Sequence, residues 1–399
     1  MRIVGIVAEY NPFHNGHLHH IEQTKARGAT HIVCVLGGNF TQRGEVSIMS
    51  KWAKVRTALA CGADLVLELP HPYTIASAPD FAYGALSVLE SLGCIDAISF
   101  GSECGSVGKL IATANAINSL EGSLREGMAD GIGFPAVRQR LLLENGFRNE
   151  AEIISKPNNI LGVEYLLAMR RLGSRITPIT IGRADAAHGD TEVGETNICS
   201  ATALRSLALK DIDSAAKYMP EIAFKYLKQQ AYYGRSPISM ANLDVAILSR
   251  LRLMSKAQLE NIPGVSEGLH NRLYDAIRKA STVEDIVKNT VTKRYSASRI
   301  RRIIIAAATG VNKSIFEAGE LPYIRVLGQS VKGREILRVA RNTSILPKVF
   351  KTSDVRELDD PLADDFFRAE CNAYDLYSLG FTPCAPCGLE FIENVYSPY

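Results

Sequence analysis

An α/β fold, with a parallel sheet flanked by helices and followed by a mostly helical C-terminal domain, is predicted for this chain by three observations. Short apolar runs alternate with amphipathic stretches through the first part of the 399 residues. Each run ends in glycine, proline or polar residues, where a parallel sheet presents its carboxyl edge. Beyond residue 190 or so the strand-like runs stop and helical patterning takes over.

The elements follow in order. Ile3–Ala8 is an apolar run that reads as a buried parallel strand. Leu18–Arg27 has the pattern of the helix that follows it. His31–Leu36, Asp64–Leu69 and Ala97–Gly101 repeat the strand pattern, with helix-like Lys51–Cys61 and Pro79–Leu92 between them. Strand–helix alternation of this kind calls for right-handed crossovers and helices on both faces. Gly105–Phe147 is helical in pattern, and Pro157-Asn158-Asn159 opens a helix that runs over Ile160–Leu172. Ile176–Ile181 is expected to be the last strand, and Ser200 caps the next helix. The chain thus divides near residue 190 into an alternating strand–helix part, residues 1–190, and a mostly helical part, residues 191–399.

Composition narrows the class. No apolar stretch approaches the ~20 residues that a membrane span needs, and Met1-Arg2-Ile3-Val4-Gly5 leads straight into a strand. The cytoplasm is the expected location, with no membrane partner. The eight cysteines are scattered, most in apolar settings, and read as reduced core residues. Cys384 and Cys387, with Cys371 upstream, have a metal-like spacing, yet no histidine lies beyond His270 to complete four ligands. A surface loop is the better reading there.

The net charge of +3 conceals an asymmetry. Val291–Phe350 carries twelve Lys and Arg against three acidic residues, while Lys351–Tyr399 carries three basic and ten acidic. A basic block of this kind marks nucleic-acid contact more often than an average surface does, with a plain solvated helix face as the alternative.

Chemistry concentrates at the strand ends. Glu9-Tyr10-Asn11-Pro12-Phe13-His14-Asn15-Gly16-His17 lies where the first strand meets its helix. A helix N-terminus offers unpaired N–H groups and partial positive charge to a nucleoside triphosphate. His14 and His17 are the candidate catalytic residues, donating hydrogen bonds to phosphate as charge builds in the transition state. Gly16 allows close backbone approach. Gly37-Gly38-Asn39-Phe40-Thr41-Gln42-Arg43-Gly44-Glu45 bends after the second strand, with Arg43 a candidate anion ligand. Lys51 and Arg56 on the next helix are expected to add positive charge or to stand exposed. Ser200 and Thr202 can bond phosphate oxygens and Arg205 can stabilise leaving pyrophosphate, although Ser-x-Thr is also ordinary capping chemistry. Asp185 and His188 are further candidates for Mg²⁺ or acid–base work.

The His14–His17 turn is similar to that of the nucleotidyltransferase superfamily. The longer pieces resemble one family within it, the tRNA(Met) cytidine acetate ligases. These pieces are Ala8–His17, Gly38–Glu45, Phe100-Gly101-Ser102-Glu103, Lys156–Gly162, Ser200–Arg205, Lys293-Arg294-Tyr295 and Tyr323–Gly328, in order along nearly the whole chain. The loop Ala184–His188 departs from the pattern by lacking a tyrosine. The resemblance implies a Rossmann-like nucleotidyltransferase domain that uses ATP with Mg²⁺. It implies acetate activation to acetyl-adenylate, then acetyl transfer to N4 of the wobble cytidine of elongator tRNA(Met). Carried over by position, ATP contacts fall on Val7, Ala8, Glu9, Tyr10, Asn11, Pro12, Phe13, His14, Asn15, Gly16, His17, Leu18, His19 and His20. At least one of His19 and His20 is expected to be a solvated bystander. Gly101, Asn158, Asn159 and Arg183 join that set, with Ser200, Thr202 and Arg205 from the residue reading.

For the tRNA, the candidates are Lys293, Arg294, Arg299, Arg301 and Arg302 along a basic helix, and Lys332 and Arg334 beyond it. Phosphate contacts of this type give affinity without sequence choice. Two rivals are a nucleotidyltransferase acting on a phosphorylated small metabolite and a non-enzymatic RNA-binding protein. The first leaves the basic C-terminal half unexplained. The second predicts decay at His14, Gly16, His17, Ser200, Thr202 and Arg205, all of which are present.

Overall fold

The computed structural model describes residues 1–127, 134–182, 199–317 and 319–398. Its centre is a seven-stranded sheet in the order β5-β4-β1-β2-β3-β6-β7. The strands are β1 (Ile3–Ala8), β2 (His31–Gly37), β3 (Leu65–Leu69), β4 (Ala97–Ser102), β5 (Thr177–Gly182), β6 (Ile324–Gln329) and β7 (Lys348–Val349). β1 pairs in parallel with β2 and β4, and strand order reverses across β1. A crevice at the carboxyl edge follows from that reversal. β1, β2 and β3 are apolar nearly throughout because both faces are covered.

The five strands expected from the sequence appear within a residue or so of their expected limits. β6 and β7 are additional. β6 pairs antiparallel with β3, so the sheet crosses the boundary expected near residue 190. Arg325 interrupts the apolar run of β6, which is why local pattern hides it.

Compensation for Arg325 comes from elsewhere in the chain. Its guanidinium lies 3.2 Å from Glu68 of β3 and 2.6 Å from Glu390. Lys51, at the start of the helix Lys51–Ala60, lies 2.8 Å from Glu390 and 3.2 Å from Glu370 and also bonds Glu68. All five side chains are buried. Burial alone lowers the affinity of Lys51 for its proton, but Glu390, Glu68 and Glu370 outweigh it and hold the ammonium above the ordinary lysine value. Glu68 is pushed up by burial and by Glu370, against the pull of Lys51 and Arg325. The C-terminal segment is thereby stitched to the sheet, and Lys51 is not a surface charge available to a ligand.

His71 sits beside this cluster. Its Nε2 is 3.0 Å from Thr309 Oγ1, whose own proton goes to Ile305 O at 2.8 Å. Nε2 therefore donates, and the ring is neutral. Burial, with Lys51 nearby, pushes its pKa down to about 3. In the unfolded chain His71 takes its proton near pH 6.5. Stability from this site is therefore full above that value and falls as pH drops through the window toward 3. Between pH 7 and pH 5 the loss is about 2 kcal/mol from this residue. Urea unfolding of wild type and His71→Asn at the two pH values checks it: the variant should lose less on acidification.

Candidate active site

The turn after β1 presents its two histidines by a reciprocal cap. Helix α1 (Asn15–Ala26) starts with His14 as N-cap, and α2 (Lys51–Ala60) with Ser50. His14 Nδ1 accepts from Gly16 N–H at 3.1 Å, and His17 Nδ1 accepts from His14 N–H at 3.2 Å. With both Nδ1 atoms accepting, each neutral imidazole carries its proton on Nε2. The rings stack at 3.7 Å, 25° apart. Tyr10 and Phe13, both buried, pack against His17 at 4.9 and 5.5 Å. The sequence thus makes a rigid pair of Nε2–H groups at a helix N-terminus. The Gly16 N–H serves this cap in the structure.

The other predicted segments converge on this turn. Arg205 donates to Asn11 O at 3.1 Å and to Thr202 Oγ1 at 3.2 Å, and its second nitrogen lies 2.6 Å from Glu45. Ser200 caps the helix Ala201–Lys210, its Oγ accepting from Ala203 N–H at 3.1 Å. Asn15 Nδ2 reaches Lys217 O at 3.1 Å. Ile48 N–H donates to Asn11 Oδ1 at 2.9 Å, and Gln42 N–H to Glu9 Oε1 at 2.6 Å. The loop after β2 is therefore clamped at both ends to the segment that carries His14 and His17.

Lys54 has no place in the reading of the sequence and is central here. Its buried ammonium lies 2.9, 2.8 and 2.6 Å from the carbonyls of Glu9, Gly37 and Gly38, and 3.1 Å from Ser47 Oγ. It ties together the carboxyl ends of β1 and β2. Burial pulls its pKa down to about 7 against the attraction of Glu9, while burial pushes Glu9 up. Nothing in local sequence separates Lys54 from Lys51 or Arg56. Arg56 stacks over Tyr396 at 5.4 Å, and Arg43 is exposed.

At the β4 end, Gly101 is half-buried beside Ile181 of β5. Glu103 accepts from Asn158 N–H at 3.1 Å, Asn158 Nδ2 at 2.6 Å and Asn159 N–H at 2.8 Å. Partial burial pushes this carboxyl up, but the donors outweigh it and hold Glu103 below its ordinary value. Asn159 is buried and bonded to Cys104 N–H and Ile153 O, both at 3.1 Å, so its amide is a brace between segments. His20 bonds Ser99 Oγ at 3.0 Å and His19 faces solvent. Val7, Ala8 and Leu18 are half-buried, while Asn11 and Pro12 are buried within the turn. Arg183, Asp185 and His188 lie outside the described residues. No cluster of three or more His, Cys, Asp or Glu suited to a metal occurs among the described residues. Cys384 and Cys387 are exposed and Cys371 is buried.

The basic residues from Lys293 to Arg302 lie next to the loop after β2 and are largely engaged. On the helix Ala297–Thr309, Arg299 clasps Gly264 O at 2.9 Å, Arg301 meets Glu284 at 3.0 Å and Arg302 donates to Gln42 O at 3.3 Å. Arg294 pairs with Glu267 and Lys293 is exposed. Lys332 reaches Thr30 O at 3.1 Å and Arg334 reaches Ser397 Oγ at 3.0 Å. Thr30 immediately precedes β2, so Lys332 and Arg334, expected among the tRNA contacts, lie at the amino edge of the sheet, opposite the edge that carries the His14–His17 turn. Gly44 is the contact point between the helix Ala297–Thr309 and the loop after β2. It holds φ at +71°, and a Cβ there would lie 2.6 Å from the Arg301 backbone. Gly44→Ala should cost about 1 kcal/mol or more in stability and weaken RNA binding by displacing the helix. Thermal melts and RNA titration of that variant read both effects.

This geometry has close counterparts. A family model described as HIGH Nucleotidyl Transferase matches residues 1–387. The tRNA(Met) cytidine acetate ligase of Acetivibrio thermocellus is 38% identical, over 99% of this chain and 99% of its own length. The chain belongs to the tRNA(Met) cytidine acetate ligase family. Another member, from Thermoanaerobacter sp., is 37% identical over 98% of this chain and 99% of its own. Among solved structures, apo Thermotoga maritima TmcAL superposes with a TM-score of 0.94 at 32% identity, over 100% of this chain and 99% of that one. The same protein bound with alpha-thio ATP gives 0.91, also at 32% identity and over the full length of both chains. The α/β nucleotidyltransferase fold expected from the sequence is thus the fold of the family. No described helix is long and apolar enough to cross a membrane.

Proposed function

We propose that this chain is an ATP-dependent ligase that activates acetate and acetylates N4 of the wobble cytidine of elongator tRNA(Met). The stacked His14–His17 pair, with both Nδ1 atoms held by backbone N–H groups, is the observation that carries this reading. An acetate oxygen attacks the α-phosphorus of ATP and pyrophosphate leaves. The N4 amine then attacks the acetyl carbon, the bond to AMP breaks, and the amine loses a proton. Both steps depend on positioning and on stabilising charge on phosphate oxygens, without a covalent enzyme intermediate.

In this reading the Nε2–H groups of His14 and His17 serve the phosphates, and Arg205 serves the departing pyrophosphate. Arg205 then exchanges part of its bond to Glu45 for the ligand. Gly101 and Asn158 border the nucleoside at the β4 end, and the family resemblance assigns Arg183 to the same ligand. Mg²⁺ would enter with ATP and offset the charge of its phosphates, as is usual for this ion. Lys293, Arg301 and their neighbours draw the tRNA backbone onto the adjacent surface, and the enzyme works in the cytoplasm on a soluble substrate.

Transfer of radiolabelled acetate to unmodified elongator tRNA(Met) transcript, with and without ATP, tests the proposal. ATP-dependent label in the RNA is expected. A folded protein that binds ATP and leaves the RNA unlabelled would shift the reading to nucleotidyl transfer onto a phosphorylated small metabolite.

A further inference from the structure

The helix Glu221–Tyr232 ends in a turn that holds two adjacent aromatic rings out in water. Tyr232 is 86% exposed and Tyr233 52%. Their rings meet edge to face, centroids 5.4 Å apart, and the Arg235 guanidinium lies 5.9 Å from the Tyr233 ring. Rings of this size gain most from being covered, so an exposed pair on a fixed support is a surface shaped for a partner.

The support is fixed. Gly234 holds φ at +66°, with Thr382 O so close that a Cβ would lie 1.8 Å from it. Thr382 N–H donates to Gly234 O at 2.8 Å. Ser236 Oγ and Ile238 N–H donate to Ile48 O at 2.7 and 3.1 Å. Little backbone order remains to be imposed on binding.

The turn is also joined to the segment that carries His14 and His17. Ile48, which receives those two bonds, itself donates to Asn11 Oδ1 at 2.9 Å. At the other end of the segment Lys217 O accepts from Asn15 at 3.1 Å. From Lys217 to Arg235 the chain carries four basic residues and one acidic, with Lys228 paired to Asp213 at 2.7 Å.

We propose that Tyr232, Tyr233 and Arg235 form a stacking platform for an unpaired base of the RNA substrate, on a support hydrogen-bonded through Ile48 to the segment that carries His14 and His17. A flat π-face with phosphate attached matches both the rings and the surrounding positive charge, whereas an acidic protein would use only the charge. The platform is separate from the basic helix Ala297–Thr309. The identity of the RNA rests on the ligase reading above.

The test uses the full chain and two RNAs, a hairpin with the anticodon stem and loop of tRNA(Met) and a blunt duplex of the same length. Tyr232→Ala/Tyr233→Ala should weaken hairpin binding about tenfold or more and leave duplex binding unchanged. Tyr232→Phe/Tyr233→Phe keeps the ring faces and should bind the hairpin as wild type does. Acetate-dependent ATP–pyrophosphate exchange without RNA should be normal in both variants, which shows that they are folded. Unchanged hairpin affinity in the alanine variant, or equal weakening for hairpin and duplex, overturns the platform. Acetyl transfer by the wild-type protein scores the ligase reading separately, so the two can fail independently.

Discussion

His17→Ala is expected to lower acetate-dependent ATP–pyrophosphate exchange by about 10²–10³-fold, the usual loss on removing one preorganised donor to developing charge. The same change removes the acceptor of the His14 N–H, which costs about 1 kcal/mol of stability. His17→Asn separates the two effects. Its side-chain oxygen can take over the cap while the donor is displaced, so stability should return and exchange should not. Affinity for tRNA should stay at the wild-type level in both variants, because the basic surface is carried by other elements. A parallel loss of tRNA affinity would sink the division of labour between turn and surface.

Lys51→Met is expected to be the most destabilising single change, by about 3–5 kcal/mol, because it strands carboxylates in the interior. Among the described residues, Glu68 and Glu390 would then keep Arg325 as their cationic partner, and Glu370 would keep the His71 N–H. Urea unfolding at neutral pH measures the loss. The deficit should shrink as pH falls toward the ordinary glutamate range. Glu68 is already raised by burial, and losing Lys51 raises it further. A carboxyl raised in the folded state binds its proton there first, so its contribution to stability is lost as pH rises through the folded value. Adding Glu68→Gln should recover part of the loss, since it removes one stranded charge. A Lys51→Met variant as stable as wild type would mean that the cluster contributes nothing.

Much of the catalytic half is legible in the chain order. β1 to β5 follow from apolar runs of strand length, and the turn chemistry from the histidines and glycines at their ends. Family resemblance in the ordered motifs adds the reaction. Lys51, Lys54 and Arg56 show where that legibility stops. They share one short helix and one kind of charge, yet the first enters a carboxylate cluster, the second binds backbone carbonyls and the third covers a tyrosine ring. Arg299 and Arg302 likewise read as free basic residues and are committed in part to Gly264 and Gln42.

Strand period, turn composition and capping are properties of neighbouring residues, so the sequence by itself determined the alternating fold and the position of the His14–His17 turn. The sixth strand was decided only in three dimensions. A charged residue such as Arg325 can enter a buried strand when its compensation is supplied from afar, here by Glu68, 257 positions away. The same holds for the clamp of Lys54 and the rigid turn under Tyr232 and Tyr233. Each depends on bringing polar groups from distant segments within hydrogen-bond reach in a place where water cannot replace them.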